Sequence, residues 1–271
     1  MILFPFAKIN LGLRITSLRT DGYHNIETVF YPVKRLTDTL DVIESDKMDF
    51  KTTGLPINGS DKDNLVLKAY ELLKSKYSLP PVKILLEKNI PMGAGLGGGS
   101  SDGAHMLMLL NSLFNLNIST EQLMEYALLL GSDCPFFIYD KPAFAMGRGE
   151  ILHDVKVNLG NFHMIIVKPS VSVSTAEAYE GVTPTASRLS LKGMIAFPIG
   201  RWNGNILNQF ETSVFKSYPE IKEIKDTLYD KGAVFALMSG SGSAVYGLFN
   251  YERKNMEKFF SPDYQIFSVK L

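Results

Sequence analysis

"IPMGAGLGGGSSDGAH", residues 90–105, places six glycines between Gly93 and Gly103, with two serines and an aspartate among them. Glycine lacks a Cβ, so this backbone reaches positive φ and lets a ligand approach the main chain closely. The stretch before it, "PVKILLEKNI", alternates Val82, Ile84 and Leu86 and predicts a strand. The stretch after it, "SSDGAHMLMLLNSLF", predicts a helix capped by Ser100 or Ser101. Strand, bare loop and helix together argue against a merely mobile linker. They aim unpaired amides and the positive end of a helix dipole at one point, which is an anion site.

The better-known phosphate loops do not fit. Gly93, Gly95 and Gly98 satisfy G-x-G-x-x-G. A dinucleotide fold also needs an acidic residue ending a second strand about 20 positions on. Ser119-Thr120-Glu121 stands there and begins another helix. No Lys-Ser/Thr pair closes the loop as a P-loop requires. The protein-kinase glycine loop lies between two strands, not before a helix.

Composition bounds the rest. The 271 residues allow one large domain or two of ordinary size. Basic and acidic residues number 28 each, so no positive field points to a nucleic-acid partner. Cys134 is the one cysteine, which excludes an intrachain disulfide or a cysteine metal site and fits a reducing compartment. His24, His105, His153 and His163 show no ligand spacing. The opening "MILFPFAKINLGLRI" is broken by Pro5, Lys8 and Asn10 and lacks the features of a signal peptide. No apolar run approaches a membrane span. The expectation is a cytoplasmic, soluble protein with no membrane partner.

Along the chain, Ala7 to Ile15 predicts a strand with Ile9, Leu11, Leu13 and Ile15 on one face, Lys8 and Asn10 on the other. Asp21-Gly22 in "RTDGYHNIETVFYPV" predicts a hairpin. "DTLDVIES" reads as a strand. "DKDNLVLKAYELLKSKY" reads as a helix with Asp63 or Asn64 near its cap. "STEQLMEYALLLG" is another, with Ser119 and Gln122 at capping-box spacing and Gly131 as the stop. Beyond residue 155 the pattern restarts. "NFHMIIVKP", "AVFALMSGSGSAVYGLF" and "QIFSVKL" are strand-rich, and "NILNQFETSVFKSYPEIKEIKDTLYDKG" is helical with a break at Pro219. "VTPTASRLSLKGM" reads as a loop. These patterns predict two α+β halves.

Five motifs, "FAKINLGL", "RTDGYHNIETVF", "PMGAGLGGGSSDGA", "GSDCPFF" and "MSGSGSAVYGLF", run in order from residue 5 to about residue 249. In kind and order they resemble the GHMP kinases, the family of galactokinase, homoserine kinase, mevalonate kinase and phosphomevalonate kinase. They are most similar to the branch that acts on a CDP-linked sugar alcohol in the non-mevalonate isoprenoid precursor pathway. The resemblance implies an ATP-dependent kinase that phosphorylates the 2-hydroxyl of the erythritol moiety, with Mg2+ accompanying ATP. It implies an α+β, two-domain GHMP kinase fold with the active cleft between the domains. Residues 1–155 would form an N-terminal ribosomal-protein-S5-domain-2-like domain that binds ATP and carries catalysis. Its βαβ crossover would be left-handed, against the general rule. Residues 156–271 would form a C-terminal ferredoxin-like α/β domain. A monomer or weak homodimer is expected.

Residue roles follow from the same resemblance. Asp133, in "GSDCPFF", matches the catalytic aspartate that accepts the hydroxyl proton. Read without the family it is a turn aspartate capping local amides. Lys8 matches the lysine beside it, whose charge offsets that of the transferring phosphoryl group. Pro91, Gly93, Ala94, Gly95, Leu96, Gly97, Gly98, Gly99, Ser100 and Ser101 would hold the phosphates. Asn64 and Lys88 match positions near the adenine, or are plain cap and surface residues. Tyr23 and Tyr179 would sandwich the cytosine, at roughly 1–3 kcal/mol per stacked base. His24 would read the base edge. Phe30 would flank them or pack in the core. Asn10, Arg148 and Thr175 are further substrate residues. Ser101 and Asp102 stay open as metal ligands. Asp102 and His105 receive no catalytic role. The loop Ser239–Ser243 is expected to pack against the first glycine loop or against substrate. "EAYEGVTPTASRLSLKGM" matches the family least and would reshape the base pocket. The alternatives are another GHMP kinase, acting on homoserine or mevalonate, and a catalytically silent nucleotide-binding protein. "DGYH" discriminates against the first, and Lys8 together with Asp133 against the second.

Overall fold

The computed structural model describes residues 1–57, 59–185 and 190–271. In chain order the strands are β1 (Ile2–Leu3), β2 (Phe6–Leu18), β3 (His24–Thr37), β4 (Thr39–Glu44), β5 (Asp49–Gly54), β6 (Val82–Lys88), β7 (Ala143–Met146), β8 (Ile151–Asp154), β9 (His163–Lys168), β10 (Phe235–Met238), β11 (Val245–Phe249) and β12 (Gln265–Lys270). The helices are α1 (Leu65–Tyr77), α2 (Gly98–Leu113), α3 (Thr120–Leu130), α4 (Cys134–Tyr139), α5 (Thr175–Glu180), α6 (Leu191–Met194), α7 (Glu211–Ser217) and α8 (Pro219–Asp230). No helix among the described residues is long and apolar enough to cross a membrane.

The chain forms two compact units that interleave along the sequence. The first comprises Met1–Lys8, Leu36–Met92 and Gly97–Lys141; the second comprises Ile9–Arg35, Gly93–Leu96 and Pro142–Leu271.

In the first unit a sheet runs β1-β4-β6-β5, with β5 and β6 parallel and joined through α1. The capping chemistry explains where α1 sits. The Asn64 side chain accepts from the Val66 amide at 2.9 Å, and Ser78 closes the helix in the left-handed region. Val66, Ala69, Tyr70 and Leu73 give α1 a buried face, and α1 packs on α2. The start of α2 differs from the sequence expectation. Its cap is Gly97, at φ +72°, and Ser100 and Ser101 lie inside the first turn. The helix continues backwards through Gly98 and Gly99 because Gly97 reaches the left-handed region without Cβ strain. Ser119 caps α3 through the Gln122 amide, as its spacing predicts. Gly131 ends α3 with φ 171°, an extended residue rather than a left-handed cap.

In the second unit one sheet runs β2-β3-β7-β8. The expected hairpin at Asp21-Gly22 joins β2 to β3, with the Arg19 guanidinium on the Asp21 carboxylate at 2.9 Å. The first strand is longer than its apolar alternation suggests, and residues Phe6 to Leu13 are all buried. Lys8 and Asn10 therefore do not mark a solvent face. The other sheet, β10-β11-β9-β12, is antiparallel throughout, and α8 packs against it. Ile221, Ile224 and Leu228 of α8 meet Ile165, Val167 and Val245 in one core. Pro219 separates α7 from α8 and serves as the first residue of α8, where its missing N–H is not needed. Within the stretch expected as a loop, Leu191–Met194 forms α6; residues 186–189 lie outside the described residues.

Candidate active site

In the first unit, three elements meet where α2 begins. The Lys8 ammonium stands 3.6 Å from Asp133 Oδ2. A Cβ built on Gly97 would lie 3.1 Å from Lys8 Cγ and 2.8 Å from the Phe137 ring, so only glycine lets the lysine stem and α4 close over this helix start. The cap residue of this helix, a glycine, has no side chain to offer the first amides, which leaves them as donors. Asp133 sits at the position before α4 with helical φ and ψ, and its side chain makes no cap bond. The carboxylate is thus not spent on local amides. Burial pushes the Lys8 pKa down, and the Asp133 charge and hydrogen bond oppose that fall. Beside them, burial pushes the Cys134 thiol up to about 12, which keeps this cysteine from acting as a nucleophile.

In the second unit, the glycine loop is bound to the second small-residue loop, as the sequence suggests. A Cβ on Gly95, at φ +74°, would overlap the Ser239 carbonyl oxygen. The Ser239 hydroxyl donates to the Gly95 carbonyl at 2.9 Å, and the Ala244 amide donates to the Ala94 carbonyl at 3.2 Å. Gly93, by contrast, faces open space. Two residues unmarked by any sequence motif hold the second loop. The Asn208 amide donates to the Met238 and Gly240 carbonyls at 2.8 and 2.7 Å. Glu211 Oε1 accepts from the Met238 amide while Oε2 pairs with Lys225 at 2.6 Å. No local periodicity signals either role, because each partner is distant in sequence.

The residues expected at the base also lie in the second unit. His24 and Tyr179 stack with ring centres 4.7 Å apart and planes 17° apart. Phe210 meets Tyr179 edge-on at 4.8 Å. Tyr23 is exposed, and the Arg148 guanidinium lies 5.0 Å from its ring centre. Thr175 Oγ1 is 3.3 Å from Ser241 Oγ, which brings α5 to the second loop. Asn10 is buried, and its Nδ2 donates to Thr28 Oγ1 at 2.8 Å. Phe30 is buried in the core, the packing alternative left open by the sequence.

Of the residues expected near adenine, Asn64 is the cap of α1. Lys88 is enclosed, its ammonium committed to Asp38 and Asp102, the latter at 2.6 Å. Burial pushes Asp102 up to about 8; Lys88 pulls it down and Asp38 pushes it further up. Pro91 and Ser101 are buried.

Among the described residues no group of three or more His, Cys, Asp or Glu side chains is arranged to hold a metal ion. Asp102 Oδ1 is buried without a partner among the described residues, but Lys88 already occupies the other oxygen.

The model of the GHMP kinases N terminal domain matches residues 64–141, and that of the GHMP kinases C terminal matches residues 198–258. The 4-diphosphocytidyl-2-C-methyl-D-erythritol kinase of Parabacteroides distasonis is 51% identical over 92% of this chain and 92% of its own. The kinase of the same name from Bacteroides fragilis is 52% identical over 94% of each chain. A crystal structure of a 4-(cytidine 5'-diphospho)-2C-methyl-D-erythritol kinase superposes with a TM-score of 0.83 at 31% identity, covering 99% of this chain and 98% of that one.

Proposed function

The chain belongs to the GHMP kinase family and is an ATP-dependent small-molecule kinase, and from that premise we propose that its acceptor is 4-diphosphocytidyl-2-C-methyl-D-erythritol. The acceptor rests on relatives named for that compound at about half identity over nearly the whole chain. The product would serve isoprenoid precursor synthesis in the cytoplasm.

The chemistry rests on one observation, the meeting of Lys8, Asp133 and Gly97 at the start of α2. Asp133, about a third exposed, accepts the proton of the 2-hydroxyl. The freed oxygen attacks the γ-phosphorus of ATP in line, and ADP leaves. Lys8 holds a fixed positive charge beside the transferring group, in a site dry enough for that charge to count. The amides of the glycine loop and of the first turn of α2 hold the phosphates. Tyr23, His24 and Tyr179 take the cytosine, with His24 reading its edge. Arg148, Thr175 and Asn10 serve the remainder of the substrate. Residues 1–155 carry ATP and catalysis in this scheme, and residues 156–271 complete substrate recognition.

ADP release, measured by a coupled assay with the CDP-alcohol, mevalonate and homoserine as acceptors, tests the proposal. The CDP-alcohol should be the preferred acceptor. Asp133→Ala should lose at least about a hundredfold in kcat, the low end for a general base. Preference for mevalonate or homoserine would overturn the acceptor; a fully active Asp133→Ala would overturn the mechanism.

A further inference from the structure

Asp38, Lys88 and Asp102 form a buried, hydrogen-bonded group of titratable side chains that the reaction scheme above does not use. Asp38 lies between β3 and β4, and its side chain has no exposed surface. Its Oδ1 accepts from the amides of Asn89 and Ile90 at 2.6 and 2.8 Å, and its Oδ2 accepts from Lys88. Lys88 is the last residue of β6. Its ammonium also donates to Asp102 Oδ2, on α2, at 2.6 Å. A Cβ on Gly98 would lie 3.3 Å from the same ammonium, so the charge sits directly against the first residue of α2.

These bonds fall on both sides of the glycine loop. Asp38 grips the two amides that follow β6, before the loop. Lys88 reaches past the loop to the helix that follows it. Burying one cation with two acids is a poor source of stability, and apolar residues of similar volume would serve folding as well. Here the arrangement is kept even though Asp102 Oδ1 has no partner among the described residues. What these directed hydrogen bonds provide and apolar packing would not is a fixed length and direction between β6 and α2.

We propose that Lys88 and Asp102 are positioning residues: the bridge between them sets the span over which the glycine loop is drawn and so aims the amides that open α2 at the nucleotide phosphates. The nucleotide part of this inference rests on ATP being the phosphoryl donor. Lys88 itself makes no side-chain contact with the nucleotide, because its ammonium is fully enclosed.

The test compares Asp102→Ala with Asp102→Asn, which retains an oxygen for Lys88, and with Asp102→Leu, which keeps the volume but not the bond. Amide hydrogen exchange in the ligand-free protein reads loop order directly. In Asp102→Ala and Asp102→Leu, amides between residues 89 and 101 should exchange about tenfold faster, with other segments unchanged. Affinity for a fluorescent ATP analogue should fall about tenfold while KM for the acceptor stays within about twofold, and Asp102→Asn should restore both readings. The leucine variant carries the comparison if the alanine variant does not fold. Unchanged exchange, an equal loss for nucleotide and acceptor, or an Asp102→Asn as impaired as the alanine variant would overturn the inference. Faster exchange in a protein whose wild type takes no nucleotide would sink the functional reading and still support the clamp.

Discussion

Lys8 and Asp133 share one ionic contact of 3.6 Å from opposite environments: the lysine side chain is 4% exposed, the aspartate side chain 35%. The cation is dry and the anion is wet. Burial lowers the Lys8 pKa more than Asp133 restores it, so holding a charge there works against folding. A buried charge kept at such a cost, beside a carboxylate that solvent can reach, has the signature expected of a group retained for chemistry.

Lys8→Met should therefore separate stability from activity. The methionine fills the lysine's volume beside Gly97 without the desolvation cost, and water can still reach Asp133. The melting temperature should hold or rise, while kcat falls roughly 10²- to 10³-fold, as for loss of one preorganised electrostatic stabiliser. Thermal unfolding and initial rates on the same preparation decide it. A variant that melts several degrees lower and still turns over would make Lys8 a structural residue.

The glycine loop offers a contrast between two neighbours. At Gly95 a side chain would overlap the Ser239 carbonyl, and the positive φ adds roughly 1–2 kcal/mol of strain. Gly95→Ala should lower the melting temperature sharply and disturb both small-residue loops. Gly93 also has positive φ but faces open space. Gly93→Ala should cost only that strain in stability yet weaken ATP binding, if the open side is where phosphate approaches. Equal effects on melting and on nucleotide affinity at the two positions would remove Gly93 from the phosphate site.

Asp102 predicts a pH dependence with a defined sign. Its folded pKa, about 8, lies above the ordinary carboxyl value, so the folded protein holds this proton more tightly than the unfolded chain. The associated stability is fully present below about pH 4 and is lost as pH rises through about 8. Asp102→Asn removes the titration and keeps the shape. The difference in unfolding free energy, variant minus wild type, should therefore grow from pH 5 to pH 8.5 by at most about 1.4 kcal/mol per pH unit. A difference that stays flat across this range would show that Asp102 is ionised throughout.

What the sequence discloses about this site follows how local each signal is. The loop is readable because glycine spacing, the strand before it and the helix after it lie within about thirty residues. The cap of α2 is misread because two glycines inside a helix contradict local propensity, and only the packing of Lys8 and Phe137 against Gly97 reveals where the helix starts. Lys8 and Asn10 follow the alternation of an exposed face, yet both are buried, since alternation reports a strand's two sides but not what covers them. Asp38 is invisible as a partner of Lys88 because fifty positions separate them. Glu211 and Asn208 escape for the same reason. The resemblance to a family supplies Lys8 and Asp133 without any of this geometry; it does not supply the clamp.

Cytosine recognition should divide between stacking and edge reading. His24 lies flat against Tyr179, and Phe210 meets that tyrosine edge-on, so neighbouring rings of the protein itself hold the pair in order. Order of this kind lowers the entropy lost on binding. Tyr179→Ala removes the platform and should raise the KM for the CDP-alcohol by roughly 10- to 100-fold, the equivalent of one stacked base, leaving the KM for ATP unchanged. His24→Phe retains a ring for the stack but no hydrogen-bonding nitrogen. It should cost less for the cytidine substrate and should narrow the preference over a uridine-linked analogue, because a hydrogen bond distinguishes the bases where stacking does not. Initial rates for both substrates with each variant read the division. If His24→Phe keeps full discrimination between cytidine and uridine, the edge is read elsewhere, and His24 serves only as the stacking partner of Tyr179.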